Sequence, residues 1–210
     1  MHEKTRLTAL ETEPRGGFFR FVWLSVGMSL FPVTAGYAAP SSPQQQAEAH
    51  TQQKIAALAT QLAKTKNGTE AALLRGQLEE LRTKPIRPAT MLLVRRATRE
   101  LGSQKVGDAI DDFGAALSLQ SDLAVLWRLR AQARLTGGDT MGAISDLGVA
   151  LQYDGNDAIS WETLAAAEDA AGDDQAALKA WQRLIELDPC LPGAKERLEK
   201  LRLKAFGRPT

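Results

Sequence analysis

From Thr51 onward, apolar residues recur three and four positions apart, and no stretch alternates with period two or gathers β-branched residues as a strand would. An all-α chain is therefore expected. Ile55, Leu58 and Leu62 make one helical stripe, and Asn67-Gly68 makes a turn. Thr69 is placed to cap a second helix whose apolar face is Leu73, Leu74, Leu78 and Leu81. Pro85 and Pro88 then break the chain. Residues 51–84 read as an N-terminal helical hairpin covering the end of whatever follows. The pattern leaves open whether this hairpin is itself a degenerate repeat.

Beyond Pro88 the pattern repeats. The segments DAIDDFGAAL (108–117), GAISDLGVAL (142–151) and AALKAWQRLI (176–185) each start 34 residues after the last without a gap. Ala109, Ala143 and Ala177 coincide, as do Phe113, Leu147 and Trp181; upstream, small Ala97, Ala131 and Ala165 recur beside large Leu93, Trp127 and Trp161. Small residues let the helices of a hairpin approach closely, while large ones fill the space between neighbouring hairpins.

On these residues the chain resembles the tetratricopeptide-repeat (TPR) family over three units, 90–123, 124–157 and 158–191. The third unit carries the resemblance best, with Trp161 and Leu164 in its first helix, Gly172-Asp173 at its turn, Ala177 and Trp181 in its second helix and IELDP (185–189) at its end. The second keeps Gly138-Asp139 but has Gly155 for the terminal proline, and the first has Gln104-Lys105 at the turn and Ser121 for that proline. The resemblance implies a right-handed solenoid of helical hairpins. Residues 192–205, with Ala194, Leu198 and Leu201 opposite a charged face, resemble the capping helix that closes such arrays.

Asp146, set between apolar neighbours, raises the question of a catalytic, binding or structural carboxylate. Asp112 is its equivalent one repeat earlier, and sixteen residues before each aspartate stands an arginine, Arg130 and Arg96. In the third repeat both positions turn apolar together, to Leu164 and Ala180. Joint replacement is the mark of a contact, because one buried charge left alone is costly. Arg96–Asp112 and Arg130–Asp146 are thus expected as structural ion pairs. Gly114 and Gly148 share a repeat position and are expected to allow close packing, whereas Gly142 has no explanation in the sequence.

Composition changes little except at the N-terminus. The 210 residues are 44% hydrophobic and 24% charged with a formal net charge of +1, and no run of five like charges occurs, so nucleic acid is not an expected partner. Arg15 and Arg20 precede the apolar run 21–33, and TAGYAAP follows it. That order is the one used for secretion, and 13 apolar residues fall short of the roughly 20 that span a bilayer. Residues 1–38 are read as a signal peptide cleaved after Ala38, with periplasmic localisation; an uncleaved anchor tethering an envelope scaffold is the alternative. Removing Lys4, Arg6, Arg15 and Arg20 together with Glu3, Glu11 and Glu13 leaves 22 basic and 22 acidic residues. Residues 39–50 read as a flexible lead-in.

Candidate chemistry is sparse. After residue 38 there is one histidine, His50, and one cysteine, Cys190, with no glycine-rich phosphate loop and no paired metal ligands, so no cofactor, no metal and no catalytic residues are expected. A carboxylate-based enzyme is the remote rival. The resemblance implies instead a non-enzymatic module that binds a peptide or protein partner on the concave face made by successive first helices. In repeat register the partner-binding candidates are Val94, Thr98, Arg128, Gln132, Glu162 and Asp169, in a groove apolar at its N-terminal end and charged toward its C-terminal end. Family members that clamp a terminal carboxylate use lysine and asparagine there; Val94, Thr98 and Gln132 stand in those places, which disfavours such tails. The resemblance points to short exported proteins of Gram-negative bacteria, with the partner and the oligomeric state left open.

Overall fold

A computed structural model describes residues 42–207. The expected signal segment 1–38 lies outside the described residues. Among those described, all regular structure is helical: α1 (Pro43–Lys64), α2 (Gly68–Thr83), α3 (Pro88–Gly102), α4 (Val106–Leu119), α5 (Ala124–Thr136), α6 (Thr140–Tyr153), α7 (Ala158–Ala171), α8 (Asp174–Leu187) and α9 (Ala194–Phe206). None is long and apolar enough to cross a membrane.

Three hairpins, α3–α4, α5–α6 and α7–α8, stack in order, with α4 against α5, α6 against α7 and α9 against α8. Alanines mark the close crossings: Ala97, Ala109, Ala131, Ala143 and Ala177 are fully buried, and Ala165 nearly so. Phe113 and Leu126 fill the junction of the first two repeats, Leu147 the next, and Trp181, Leu184 and Leu201 the junction with α9. The tryptophans also fasten loops: Trp127 Nε1 donates to Ser121 O (2.8 Å), and Trp161 Nε1 does the same to Gly155 O (2.9 Å). Each is a half-buried apolar body whose one donor reaches a loop carbonyl at the surface.

The turns inside the hairpins share one backbone solution. Gln104, Gly138 and Gly172, 34 residues apart, all adopt the left-handed conformation (φ 61, 83 and 86°). Glycine takes it without strain, and the first repeat places glutamine there instead.

Two expectations are corrected. The supposed flexible lead-in is mostly helix, because α1 begins at Pro43. Ser42 caps it, Ser42 Oγ accepting from Gln45 N and Gln45 Oε1 from Ser42 N, and Pro43 occupies the first turn, where no N–H is needed. Polar composition suggested a linker, but the start signal decides. Nor does the N-terminal hairpin cover the end of the first repeat. It lies along the side of the array, with α2 against α5 and α1 against α8, for reasons found in its charges.

Candidate interaction surface

The first helices of the repeats, α3, α5 and α7, form the wall on which the candidates lie. Val94 is buried in the core of the first repeat with Ile86, the residue that follows α2 and Pro85. Thr98 is exposed, its hydroxyl donating to Val94 O (2.8 Å). Gln132 is half-buried, and its Nε2 approaches Thr163 Oγ1 at 3.4 Å. Asp169 is held by α9, accepting from Arg197 Nη2 (2.6 Å) and from Lys204 Nζ. The Lys204 bond foremost, with Arg197, holds the Asp169 carboxyl below its ordinary range against the effect of burial.

Arg128 and Glu162 meet the N-terminal hairpin. Arg128, 3% exposed, donates through Nη2 to both carboxylate oxygens of Glu79 on α2 (2.7 and 2.8 Å), and its Nε lies 2.9 Å from Asp157 Oδ2. Glu162 is exposed but lies near Asp188 and Arg75; partial desolvation first, then the charge of Asp188, pushes its carboxyl upward while Arg75 opposes. The six candidates therefore do not form one open groove. Three face separate neighbours within the array, two sit along α2, and Thr98 is left to solvent.

The seam under α2 has an order of its own. Gln120, Asp154 and Asp188 are the residues that close α4, α6 and α8, 34 positions apart. Asp154 and Asp188 receive α2, and Gln120 receives the linker that follows it. Asp188 Oδ2 accepts from Arg75 Nη1 (2.7 Å), and Asp154 Oδ2 accepts from Arg82 Nε (2.7 Å). Gln120 takes Arg87 N on Oε1 (2.8 Å) and gives Nε2 to Pro85 O (3.1 Å). Arg82 also donates to Asn156 O (3.0 Å) and lies 3.3 Å from Asp157. Arg75 and Arg82 are two helical turns apart, about 10.5 Å along the axis, comparable with the 8–10 Å between packed helices. One helix can thus place a guanidinium at each of two successive repeats. Sequence reasoning missed this set. Its signals were the 34-residue spacing of Gln120, Asp154 and Asp188 and the seven-residue spacing of Arg75 and Arg82.

The structural pairs lie inside the hairpins. Arg130 Nε and Nη2 donate to the two oxygens of Asp146 (2.8 and 2.6 Å), and the guanidinium also sits 5.0 Å from the Trp127 ring centre. Arg134 adds a second cation 3.1 Å from Asp146 and donates to Gly142 O. In the first repeat Arg96 grips Asp112 in the same way, but the position of Arg134 is held by Glu100. Two cations share one carboxylate in the second repeat, and two carboxylates share one cation in the first. The Arg96 hydrogen bonds hold the Asp112 carboxyl low, whereas desolvation and the charge of Asp112 push Glu100 up.

The glycines need another account than close packing. A Cβ at Gly148 would meet nothing within 4 Å, and one at Gly114 only Arg130 Nη1 at 3.9 Å. Gly142 is the crowded one: Asp139 caps α6 by accepting from Gly142 N (2.9 Å), and a Cβ there would fall 2.1 Å from Asp139 Oδ2. Nothing in the structure explains Gly148.

Among the described residues no group of His, Cys, Asp or Glu could hold a metal ion. His50 lies exposed on α1, and Cys190 gives its S–H to Thr65 O (3.4 Å). What the surface offers is rows of paired charges and a wall of helix faces.

No family model matches the chain, and no curated protein matches it either. Solved structures do. The first TPR domain of human RPAP3 superposes with a TM-score of 0.53 at 23% identity, over 55% of this chain and 91% of that one. The fold is a TPR solenoid. The TPR domain of Sgt2 from Aspergillus fumigatus matches similarly (TM-score 0.53, 21% identity, 59% of this chain and 87% of that one). MamA covers more of this chain, 76%, and 85% of its own, at a TM-score of 0.53 and 16% identity.

Proposed function

We propose that this chain is a protein-interaction or assembly module of a bacterial envelope, exported by its N-terminal segment and working without catalysis. The observation that carries the reading is that the TPR wall already holds a protein element: α2 is gripped by side chains of the second and third repeats. The structural neighbours support it. The first TPR of Spaghetti (RPAP3) is bound to the HSP90 peptide SRMEEVD, and the second TPR domain of human RPAP3 is in complex with the HSP70 peptide SGPTIEEVD. An acidic tail is not the partner proposed here, because Asp154, Asp157, Asp188 and Glu162 line the wall's edge and would repel it.

Two measurements test the reading. The intact mass of the protein from its producing cell should correspond to a chain beginning at Ala39; retention of residues 1–38 would replace export with a membrane tether. A photocrosslinking residue at Thr98, on the exposed part of the wall, should capture a protein that the same residue at Gly148 on α6 does not. Identical capture at both positions would count against the wall as the binding face.

A further inference from the structure

The contacts that seat α2 differ in kind from those that hold the array together. The hairpin satisfies its apolar faces internally: Ile55, Leu62, Leu74 and Leu78 are buried in a cluster of their own, to which the array adds only half-buried Cys190. What crosses the seam is charge, namely Arg75 to Asp188, Glu79 to Arg128 and Arg82 to Asp154 and Asp157.

The fit is also incomplete. Asp188 is fully buried, yet its Oδ1 has no hydrogen-bond partner, and Arg128 Nε, though close to Asp157, makes no aligned bond. The array side carries four carboxylates (Asp154, Asp157, Asp188 and Glu162) and one guanidinium, Arg128, and α2 answers with two guanidiniums and one carboxylate. A buried acceptor left without a donor costs stability, so Asp188 Oδ1 leaves this surface one unused site for a basic side chain.

We infer that the seam under α2 is a recognition site for an amphipathic helix of another protein, one presenting arginines two turns apart with a glutamate between them, and that α2 occupies it in cis. The inference deepens the interaction-module reading and rests on it. The repeat geometry supplies the ruler: acceptors one repeat apart meet side chains seven residues apart, and Arg128 between them selects the acid at the fourth position. A partner helix competes with a tethered one. The tether is short, since Ile86 is anchored in the first repeat's core, so the effective concentration of α2 is high and only a helix that matches the charge pattern displaces it.

The test uses the full chain and, as probe, a fluorescein-labelled synthetic peptide of residues 68–83 (GTEAALLRGQLEELRT). In the chain carrying Arg75→Glu and Arg82→Glu, the amides of α2 should exchange faster while the array keeps its helical melting transition. That variant should bind the peptide at least tenfold more tightly than the wild type does. Binding should vanish when the peptide carries the same two reversals, or when Asp154→Asn and Asp188→Asn are added to the protein. If the double variant does not fold, Glu79→Arg, which sets like charges against Arg128, provides the same comparison. Equal affinity for wild type and opened variant overturns the inference, as does α2 remaining protected in the variant, or α2 released with no peptide bound. Any of these would leave a partner captured at Thr98 unaffected, so the two readings fail separately.

Discussion

Asp146 shows how one residue's environment is decided by its neighbours' identity. It is 2% exposed and shared by Arg130 and Arg134, so its removal leaves two cations facing an apolar hairpin interior. Asp146→Ala should destabilise by about 3 kcal/mol. Arg130→Leu should cost less, about 1–2 kcal/mol, because Arg134 remains beside the carboxylate. The double variant reproduces the apolar pair Leu164 and Ala180 of the third repeat, and urea unfolding should show it recovering much of the combined loss. Strictly additive losses would show that the two side chains do not interact. This pairing was legible from the sequence because the repeats act as internal replicates: two positions that change together across copies behave as a contact. Gly142 was not legible, because the reason for it is the rotamer of Asp139, which a sequence does not carry.

Helices add what single residues lack, a direction and a neighbour. The closing helix α9 is recognisable from Ala194, Leu198 and Leu201, two of them buried against α8. Its second attachment, Arg197 and Lys204 to Asp169 on α7, has no echo in the repeat pattern, since α9 lies outside it. The Asp169 carboxyl is held below its ordinary range, so its contribution is present above about pH 4, the unfolded value, and is lost as pH falls through the lower folded value. Asp169→Asn should therefore lower the melting temperature at pH 7. The wild type should lose that advantage on acidification below about pH 4, where the two proteins' melting curves should converge. A constant gap down to pH 2 would place the stabilisation elsewhere. For α1 the capping box of Ser42 and Gln45 was present in the sequence, and it outweighs the polar, proline-containing composition that suggested a linker.

For the whole molecule, two kinds of cohesion coexist. Hairpin nests on hairpin through alanine crossings and buried Phe113, Leu147 and Trp181, while α1–α2 is fastened to the array chiefly by ion pairs. Salt leaves apolar packing in place but reaches the seam through its part-exposed partners, Arg75 and Glu79, the Debye length falling from about 10 Å at 0.1 M to 3 Å at 1 M. Hydrogen exchange measured at both salt concentrations should show the amides of α2 losing protection at high salt while those of α4 and α6 do not. Equal behaviour of all three would mean that the seam is apolar in energy.

The periodicity of the chain by itself determined the helical hairpins, their 34-residue register, the alanine crossings and the Arg–Asp pairs, since each depends on residues close in sequence or repeated through it. Where α1–α2 goes was decided only by tertiary structure. Arg75 and Asp188 are far apart along the chain and belong to no common repeat, so their meeting depends on the curvature and spacing of the finished array. For the same reason the wall that the register marks as open is partly covered, and the charges facing the cover became visible only once the array had formed.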